Sequence, residues 1–432
     1  MKPYLAALVR AVITLLMLFV LNPAAATAPI ELSLDDCIAL ALKNNPAMKI
    51  AENDWEKYRW AVKQAEAGKK VSLSLTHTDN RYDIAANRQQ GLYRTTYYNK
   101  FDNLVALTLP VYSGGKLENQ IDAAQSNLTI ADLNRQATKQ QLKLSATTAY
   151  FDVLHYRKVV QVSTESVDDL CLHLKNVQAQ FVAGMVAKSN VLYSQVQLAT
   201  AQDSLIRAQN NYQNALVSLN NVIGLAADSE LIQQENFPYE QNSLEMEDCV
   251  EQALTNRPEI TEYQAKIAIA QYNVNIARSG NLPTVSLKGT QDWYDQDLPG
   301  SKNSNWMLSL TTSLNLFDSG ITQSEIKQAQ YELATANEQD RQARDAIALE
   351  VRQAYHSMGE AEKRIATNKL AVEQATEDYQ IAEYGYRVGV STNLDVIDAE
   401  LALTQAKTNY IQALYDYNTS KAQLDKARGV PV

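Results

Sequence analysis

Side chains that commonly do chemistry are few and scattered in this sequence of 432 residues. There are three cysteines, and the four histidines, for which we predict surface or packing roles, are His77, His155, His173 and His356. The HExxH zinc motif, the Walker-type phosphate loop and the GxSxG nucleophile motif do not occur. No serine has a histidine at a spacing that supports nucleophilic catalysis. We therefore predict a protein that is not an enzyme and that uses no cofactor or metal.

One acidic pair has a spacing that a binding site could use. Asp395 and Asp398 are three residues apart, so both carboxylates lie on one face if the segment is helical. The plain interpretation is that they are ordinary solvated helix residues. A second interpretation is a ring of carboxylates, which requires several copies of the chain around one opening. Whether such a ring can form depends on the helices and strands that position the pair.

Composition favours long helices over turn-rich folds. The formal charge of −10 argues against nucleic-acid binding, because phosphate-binding surfaces need clustered Lys and Arg. With 14 glycines and 10 prolines, the chain has few of the residues that the turns of a β-sandwich or propeller require.

The N-terminus has the three parts of a secretory signal peptide. Lys2 and Arg10 precede an apolar run over residues 11–21, and small residues follow at 24–26. We predict a signal peptide over residues 1–26, cleaved after Ala26, with Ala28 as the alternative. Beyond it no run of 18 apolar residues occurs, so no transmembrane helix is expected. The protein is therefore predicted to be exported.

The chain also contains an internal repeat, with predicted halves over residues 27–235 and 236–432. Two segments of the first half return in the second, Leu32–Pro46 as Leu244–Pro258 and Phe181–Leu192 as Tyr386–Ile397. Two of the three cysteines fall at matching positions, which predicts that they are buried as small apolar residues.

Both halves predict the same order of elements. A short helix ends at Asn45 or Arg257, and the proline that follows suits the first turn of a second helix. Strands with period-two alternation follow over about 70–110 and 284–317, with polar loops at roughly 79–99 and 292–305. Next come helices over about 116–182 and 320–386, breaks at Gly184 and Gly389, and shorter returning helices.

The two long helices exceed what one globular core can use, because about 65 residues reach roughly 100 Å. Along the second helix, apolar residues recur in steps of three and four, which indicates coiled-coil-type packing. These seam positions are Ile326, Ala329, Leu333, Ala336, Ala343, Ile347, Val351, Ala354, Met358, Ala361 and Ile365, with Asp340 as the charged member.

The alternating strands permit a membrane barrel. A tilted strand of about ten residues crosses the hydrocarbon layer, and a sheet in lipid must close because unpaired backbone groups are costly there. Four strands are too few, since membrane barrels begin at about eight. Three copies of the chain would supply twelve strands. The alternative is a small sheet in a soluble protein.

At this point the sequence resembles the family of TolC-type outer-membrane efflux proteins. The resemblance rests on the repeated opening at 32–46 and 244–258, the junctions LPVYSGG at 109–115 and LNLFDSG at 314–320, and the segment YRVGVSTNLDVIDAELAL at 386–403. It implies a mainly α fold with transmembrane β, in which a homotrimer forms a 12-stranded outer-membrane barrel continued by a 12-helix periplasmic barrel. It also implies a passive exit duct of a tripartite efflux or type I secretion system, which docks onto a periplasmic adaptor protein and an inner-membrane transporter.

The resemblance assigns residues to the closed periplasmic end. Asp395 and Asp398 match the carboxylates that line the family's constriction, so a trimer would hold two rings of three. Mutual repulsion in the rings should raise their proton affinity and favour bound cations. Tyr386 matches the family's gate tyrosine. Arg387 lies beside it but not at the position of the family's gate arginine.

The gate departs from the family at two further positions. Ser391 and Asn190 stand where the family often has an arginine and an acidic partner, so the polar latch must differ or be weaker. Gly184, Val388 and Gly389 are candidate adaptor contacts at the helix-reversal tip, and the alternative is that they serve only the turns.

Two other functions compete with a duct. One is a periplasmic coiled-coil scaffold without a pore. The other is an adaptor of the same export machinery, which needs lipoyl-like and β-barrel segments that the sequence lacks.

Overall fold

A computed structural model of the chain describes residues 30–84, 96–226, 231–233, 237–241 and 243–431. The predicted signal peptide, residues 1–26, lies outside these residues, as does the part of the first predicted loop over 85–95. Among the described residues there are eight α-helices and six β-strands. The helices are α1 Leu34–Asn44, α2 Pro46–Ala67, α3 Lys116–Val182, α4 Lys188–Ile223, α5 Met246–Asn256, α6 Pro258–Arg278, α7 Ile321–Val388 and α8 Asn393–Ala427. The strands are β1 Ile30–Leu32, β2 Ser72–Ile84, β3 Thr96–Tyr112, β4 Leu231–Gln233, β5 Thr284–Asp295 and β6 Asn303–Ser313.

Local sequence explains where the short helices begin and end. Ser33 caps α1, because its hydroxyl accepts from the Asp36 N–H at 3.2 Å while the Asp36 carboxylate accepts from the Ser33 N–H at 3.1 Å. Asn45 and Arg257 have extended backbones, as residues before proline prefer. The prolines then open α2 and α6, so the predicted helix–proline–helix units are observed.

The long strands form one antiparallel sheet in the order β2–β3–β5–β6. At their loop ends these strands are longer than the alternation predicted, because β2 continues to Ile84, β5 continues to Asp295 and β6 begins at Asn303. The predicted loops at 79–99 and 292–305 are therefore wrong over much of their length. Backbone pairing continues between polar residues, as for Asn80 opposite Lys100, where an apolar pattern carries no signal. At the other end the prediction of a strand to 317 is wrong, because β6 stops at Ser313, where its pairing with β5 ends.

The described chain divides into two compact units, each drawn from both predicted repeats. The first comprises the described parts of 1–45, 142–242 and 357–422. In its core α1 packs with α3 and α4 around Cys37, Leu154, Leu219 and Ile223, all of which are buried. The parallel pair β1–β4 belongs to the same unit. The prediction that Cys37 packs as a small apolar residue is confirmed.

The second unit comprises 46–141, 243–356 and the described part of 423–432, and contains the four-stranded sheet. Cys249 is buried here, as predicted. Arg257 is also buried, and its guanidinium pairs with Glu259, at 2.6 Å, and with Glu350. Lys426 pairs with the other oxygen of Glu350 at 3.3 Å. A buried arginine requires such partners, because an unpaired buried charge is costly.

The predicted seam of the second long helix corresponds to the buried side of α7. Nine of its apolar positions are among the buried residues of the chain: Ile326, Ala329, Ala336, Ile347, Val351, Ala354, Met358, Ala361 and Ile365. Leu333, Asp340 and Ala343 are half-buried. Steps of three and four therefore identified the packed face of this helix.

Candidate functional sites in the sheet and the helix reversals

The four-stranded sheet has one apolar face. Leu73, Leu107, Gly289 and Leu308 lie opposite one another in a single row across the four strands, so their side-chain positions share that face. Neighbouring rows of the same face contain Leu75, Val105, Leu109, Leu287, Trp306 and Leu310. Trp306 is 77% exposed and Leu73 is 71% exposed. Such a contiguous apolar surface indicates contact with an apolar phase or a partner.

The opposite face of the sheet is polar. The adjacent row across the strands consists of Ser72, Thr108, Lys288 and Ser309. In the four-stranded sheet, β2 and β6 are the edge strands. An apolar face, a polar face and two open edges are the features of a segment of a membrane barrel, whose outer surface is apolar and whose lumen is polar.

The reversal between α3 and α4 is built on a left-handed glycine. Gly184 has φ +77°, and its N–H donates to the Phe181 carbonyl at 2.9 Å. The Met185 N–H donates to the Gln180 carbonyl at 2.9 Å. This pair of bonds is a Schellman motif, in which glycine adopts a conformation that costs other residues energy. Asn190, in the first turn of α4, donates its N–H to the Ala187 carbonyl at 3.1 Å.

The reversal between α7 and α8 uses the same backbone. Gly389 has φ +82°, and its N–H donates to the Tyr386 carbonyl at 3.3 Å, while the Val390 N–H donates to the Gly385 carbonyl at 2.8 Å. The Ser391 N–H donates to the same Gly385 carbonyl at 3.1 Å. The Ser391 side chain also packs closely against Gly385, where any Cβ would clash with it. Ser391 thus serves the turn geometry.

Apolar side chains project into solvent at both reversals. Val182 is 87% exposed and Met185 is 74% exposed at the first, and Val390 is 83% exposed at the second, where Val388 is also exposed. Single exposed apolar residues are ordinary, but four at two turns form a surface that a partner can cover.

Asp395 and Asp398 are both exposed in the single chain. Asp395 completes a capping box at the start of α8, because its carboxylate accepts from the Thr392 N–H at 2.7 Å and its N–H donates to Thr392 Oγ1 at 3.2 Å. These hydrogen bonds lower the pKa of Asp395. In the single chain this direction is opposite to the raised proton affinity predicted for a ring of acids, since the neighbouring carboxylates of other copies are not present.

Tyr386 lies inside a small core of the first unit. Its ring is buried with Val177, Val396 and Ala399, and its centroid is 5.0 Å from that of His173. Burial raises the pKa of its hydroxyl, which has no hydrogen-bond partner. Arg387 points away from this core, and its guanidinium lies 3.8 Å from the Glu383 carboxylate.

A buried polar cluster that no sequence pattern predicted links the two reversals within the first unit. Asn393 Oδ1 accepts from Ser194 Oγ at 3.0 Å and lies 2.8 Å from His173 Nε2. Since the amide oxygen is an acceptor, Nε2 carries the proton. All three side chains are buried. Burial lowers the pKa of His173 more than the Asn393 hydrogen bond and the Glu383 charge raise it.

His173 had a weak sequence signal. It lies three residues after Leu170 and four before Val177, both of which are buried on α3, so it occupies an apolar stripe. In the described residues, no group of three or more His, Cys, Asp or Glu side chains could hold a metal ion. In the same part of the chain, no helix has an apolar stretch long enough to cross a membrane.

Comparison with known proteins identifies the family. Residues 37–225 and 249–430 match the family described as Outer membrane efflux protein, which is most of the chain in two consecutive copies. The chain belongs to this family. The predicted resemblance to TolC-type proteins is thus confirmed.

Relatives of this chain include Outer membrane protein TolC of Escherichia coli (strain K12), which is 28% identical over 324 residues. That match covers 69% of the chain and 64% of the relative, so the chain matches slightly less than two thirds of that protein. Alkaline protease secretion protein AprF of Pseudomonas aeruginosa is 22% identical over 415 residues, covering 92% of the chain and 85% of the relative.

Solved structures share the fold. The Campylobacter jejuni CmeC outer membrane channel has a TM-score of 0.81 at 19% identity, covering 92% of this chain and 85% of that one. The Vibrio cholerae outer membrane protein VceC has a TM-score of 0.79 at 19% identity, covering 92% and 96%. The family description and the names of these proteins agree with the predicted location in the outer membrane.

Proposed function

We propose that the protein is the outer-membrane exit duct of a tripartite efflux or type I secretion system. The single observation that carries this function is the four-stranded sheet with one apolar face and two open edges, in a chain that also contains helices of 67 and 68 residues. The sheet suits the bilayer, and helices of roughly 100 Å suit a conduit that reaches across the periplasm. Membership of the outer membrane efflux protein family supports the same function.

The duct is a homotrimer in this proposal. Four strands cannot close around a lumen, but three copies supply twelve, and β2 of one copy pairs with β6 of the next. The helices α3, α4, α7 and α8 of three copies supply a twelve-helix barrel. After the signal peptide over 1–26 is removed, the predicted repeats at 27–235 and 236–432 contribute helices that alternate around this barrel.

Transport through the duct is passive, and the inner-membrane transporter supplies the energy. The duct meets a periplasmic adaptor protein at the helix reversals, where Val182, Met185, Val388 and Val390 are exposed. Gly184 and Gly389 present these apolar side chains by turning the backbone sharply. An adaptor that covers them gains apolar burial, which also holds the reversals in place.

Asp395 and Asp398 form the constriction in this proposal. Three copies place six carboxylates around the periplasmic opening, where they attract cations and repel one another. We expect Asp395→Asn with Asp398→Asn to abolish block of the reconstituted channel by divalent cations in single-channel recordings. The control is Asp168→Asn, an exposed acid on α3, which should leave block intact. Unchanged block in the double variant contradicts the rings.

The buried cluster of Asn393, His173 and Ser194 latches the periplasmic end in its closed state. It joins α8 to α3 and α4 inside one protomer, which is the contact that must change if one helix pair moves against the other. It accounts for a closed end without charged residues at Ser391 and Asn190. Tyr386 supports the latch by packing against His173, and Arg387 remains available at the surface of α7.

Reconstitution of the purified full-length protein tests the function. We expect it to stay with outer membranes after carbonate washing, to migrate as a heat-sensitive oligomer and to form ion-conducting channels in planar bilayers. Release by carbonate as a soluble monomer without channel activity contradicts the duct and supports a periplasmic scaffold.

A further inference from the structure

Glu400 is a buried carboxyl group that the gate does not use. It lies on α8, beyond Asp398, and is 2% exposed. Thr404 Oγ1 donates to its Oε1 at 2.9 Å, and the Ser166 hydroxyl also hydrogen-bonds to the carboxyl. Oε2 is buried without a hydrogen-bond partner. A carboxylate normally accepts several hydrogen bonds or pairs with a cation, so an ionised Glu400 is poorly accommodated here.

The charges around Glu400 also disfavour its ionised form. Asp169 on α3 and the phenol of Tyr379 on α7 interact with it, and Glu383 lies within reach of both groups. Lys407, on α8, offers a positive charge, but its Nζ is paired with Glu165 at 2.8 Å. Burial raises the pKa of Glu400, and the Asp169 charge raises it further, against the hydrogen bonds from Ser166 and Thr404. Burial likewise raises the pKa of Asp169.

We propose that Glu400 carries a proton in this packing of α3, α7 and α8, and that loss of this proton to water loosens the start of α8. The packing around a neutral carboxyl tolerates one unpaired oxygen, whereas a carboxylate there requires water or a cation to enter. Because α8 begins with Asn393 and carries Asp395 and Asp398, its loosening makes the periplasmic end easier to open. This last step rests on the proposed duct, whereas the protonation does not.

The direction of the pH dependence follows from the raised pKa. The packing is most stable below the ordinary pKa of a glutamate, where Glu400 is protonated in folded and unfolded chains alike. Stability is lost as the pH rises through the raised pKa, at a rate of up to about tenfold in the folding equilibrium per pH unit. Glu400→Gln keeps the shape and removes the charge, so it should abolish this loss.

Infrared spectroscopy and hydrogen exchange on the purified full-length protein test the protonation. In the wild type at pH about 5, we expect the C=O stretching band of a buried protonated carboxyl, and it should be missing in Glu400→Gln.

Amide exchange in the first turns of α8, corrected for intrinsic rates, should rise from pH about 5 to about 8 in the wild type and stay flat in the variant. Asp169→Asn removes the neighbouring negative charge, so Glu400 ionises more easily. In that variant the rise in exchange should move to lower pH. Asp345→Asn, at an exposed position on α7, is the control and should behave as the wild type.

Each half of the proposal has a result that overturns it. If the carboxyl band is the same in the wild type and Glu400→Gln, Glu400 is not protonated. If the band depends on Glu400 but both proteins show the same exchange profile, loss of the proton does not loosen the start of α8. If the band and the exchange depend on Glu400 but single-channel conductance of the two proteins rises equally with pH, the coupling to opening is wrong. If the wild type forms no channels at any pH, the duct itself fails, and the infrared band still decides the state of Glu400.

Discussion

At the α3–α4 reversal the chain turns at Gly184, and helix α4 begins after Ala187. At the α7–α8 reversal the chain turns at Gly389, and helix α8 begins after Thr392. Both turns have the two hydrogen bonds of the Schellman motif, and the second turn adds a bond from the Ser391 N–H to the Gly385 carbonyl. The helix starts differ, because Ala187 offers no side-chain cap while Thr392 and Asp395 form a capping box. The difference teaches that glycine sets the turn and that the residues after it decide how firmly the next helix is held.

The position after the cap extends the contrast. In the second reversal it is Asn393, which is buried and hydrogen-bonded to His173 and Ser194. In the first reversal the corresponding residue is Lys188, which is exposed. The start of α8 is therefore held by a buried, hydrogen-bonded side chain, whereas the same position of α4 is exposed. We interpret the second as the latch and the first as the more adaptable docking surface.

The largest expected effect on amide exchange comes from removing the buried hydrogen bonds of Asn393. Asn393→Leu leaves the His173 Nε2–H without its acceptor, while Ser194 keeps a second acceptor in the Asn190 carbonyl at 2.9 Å. An unpaired buried donor costs about 1–3 kcal/mol, so amide exchange at the second reversal should accelerate by roughly tenfold or more. The matched variant at the first reversal, Lys188→Leu, should change it little. Equal acceleration by both variants would remove the distinction between the two reversals.

Replacing the glycines should affect the two reversals alike. Each has a positive φ, and an added Cβ meets no atom within 4 Å at either position. Gly184→Ala and Gly389→Ala should therefore each cost about 1–2 kcal/mol of local stability, from backbone conformation alone. Hydrogen exchange at the two turns measures this cost. A cost at one turn that is several times the cost at the other contradicts the shared-backbone argument.

The cap should account for a smaller difference. Thr392→Ala removes the side-chain acceptor of the Asp395 N–H and should cost about 1 kcal/mol at the start of α8. The corresponding change at the first reversal, Ala187→Thr, provides a missing cap and should slow exchange at the start of α4. If Thr392→Ala leaves exchange unchanged, the capping box does not hold the helix start.

The smallest effect should be a pH dependence confined to the second reversal. Hydrogen bonds from Thr392 lower the pKa of Asp395. The stability that this carboxylate contributes is therefore present above its ordinary pKa and is lost as the pH falls through the lowered value. Exchange at the start of α8 should rise on acidification in the wild type and less so in Thr392→Ala. The start of α4, which has Asn190 in place of Asp395, should show no such rise.

Local patterns in the sequence predicted much of the fold. Pro46 and Pro258 marked helix starts, steps of three and four identified the buried side of α7, and Gly184 and Gly389 marked the reversals. These features depend on neighbouring residues, so one sequence contains them. The strand ends were missed because the pairing of Asn80 with Lys100 depends on backbone hydrogen bonds and carries no apolar pattern.

The site was harder to predict because its contacts are distant in sequence. His173 and Asn393 are 220 residues apart, and neither residue type specifies the other. Glu400 reads as an ordinary helix glutamate until the packing shows that it is buried. Tyr386 was predicted as a gate residue, and its place in the core of the first unit leaves that role a prediction.

Cysteine cross-linking between copies tests most directly whether the sheet edges pair to close a shared barrel. Within one chain β2 and β6 are separated by β3 and β5, or about 14 Å, which exceeds the reach of a disulfide. With Leu73→Cys on β2 combined with Leu308→Cys or Leu310→Cys on β6, oxidation of the membrane-embedded protein should produce a covalent ladder that ends at the trimer. Monomer alone, across a set of positions along both edges, would contradict the shared barrel and with it the duct.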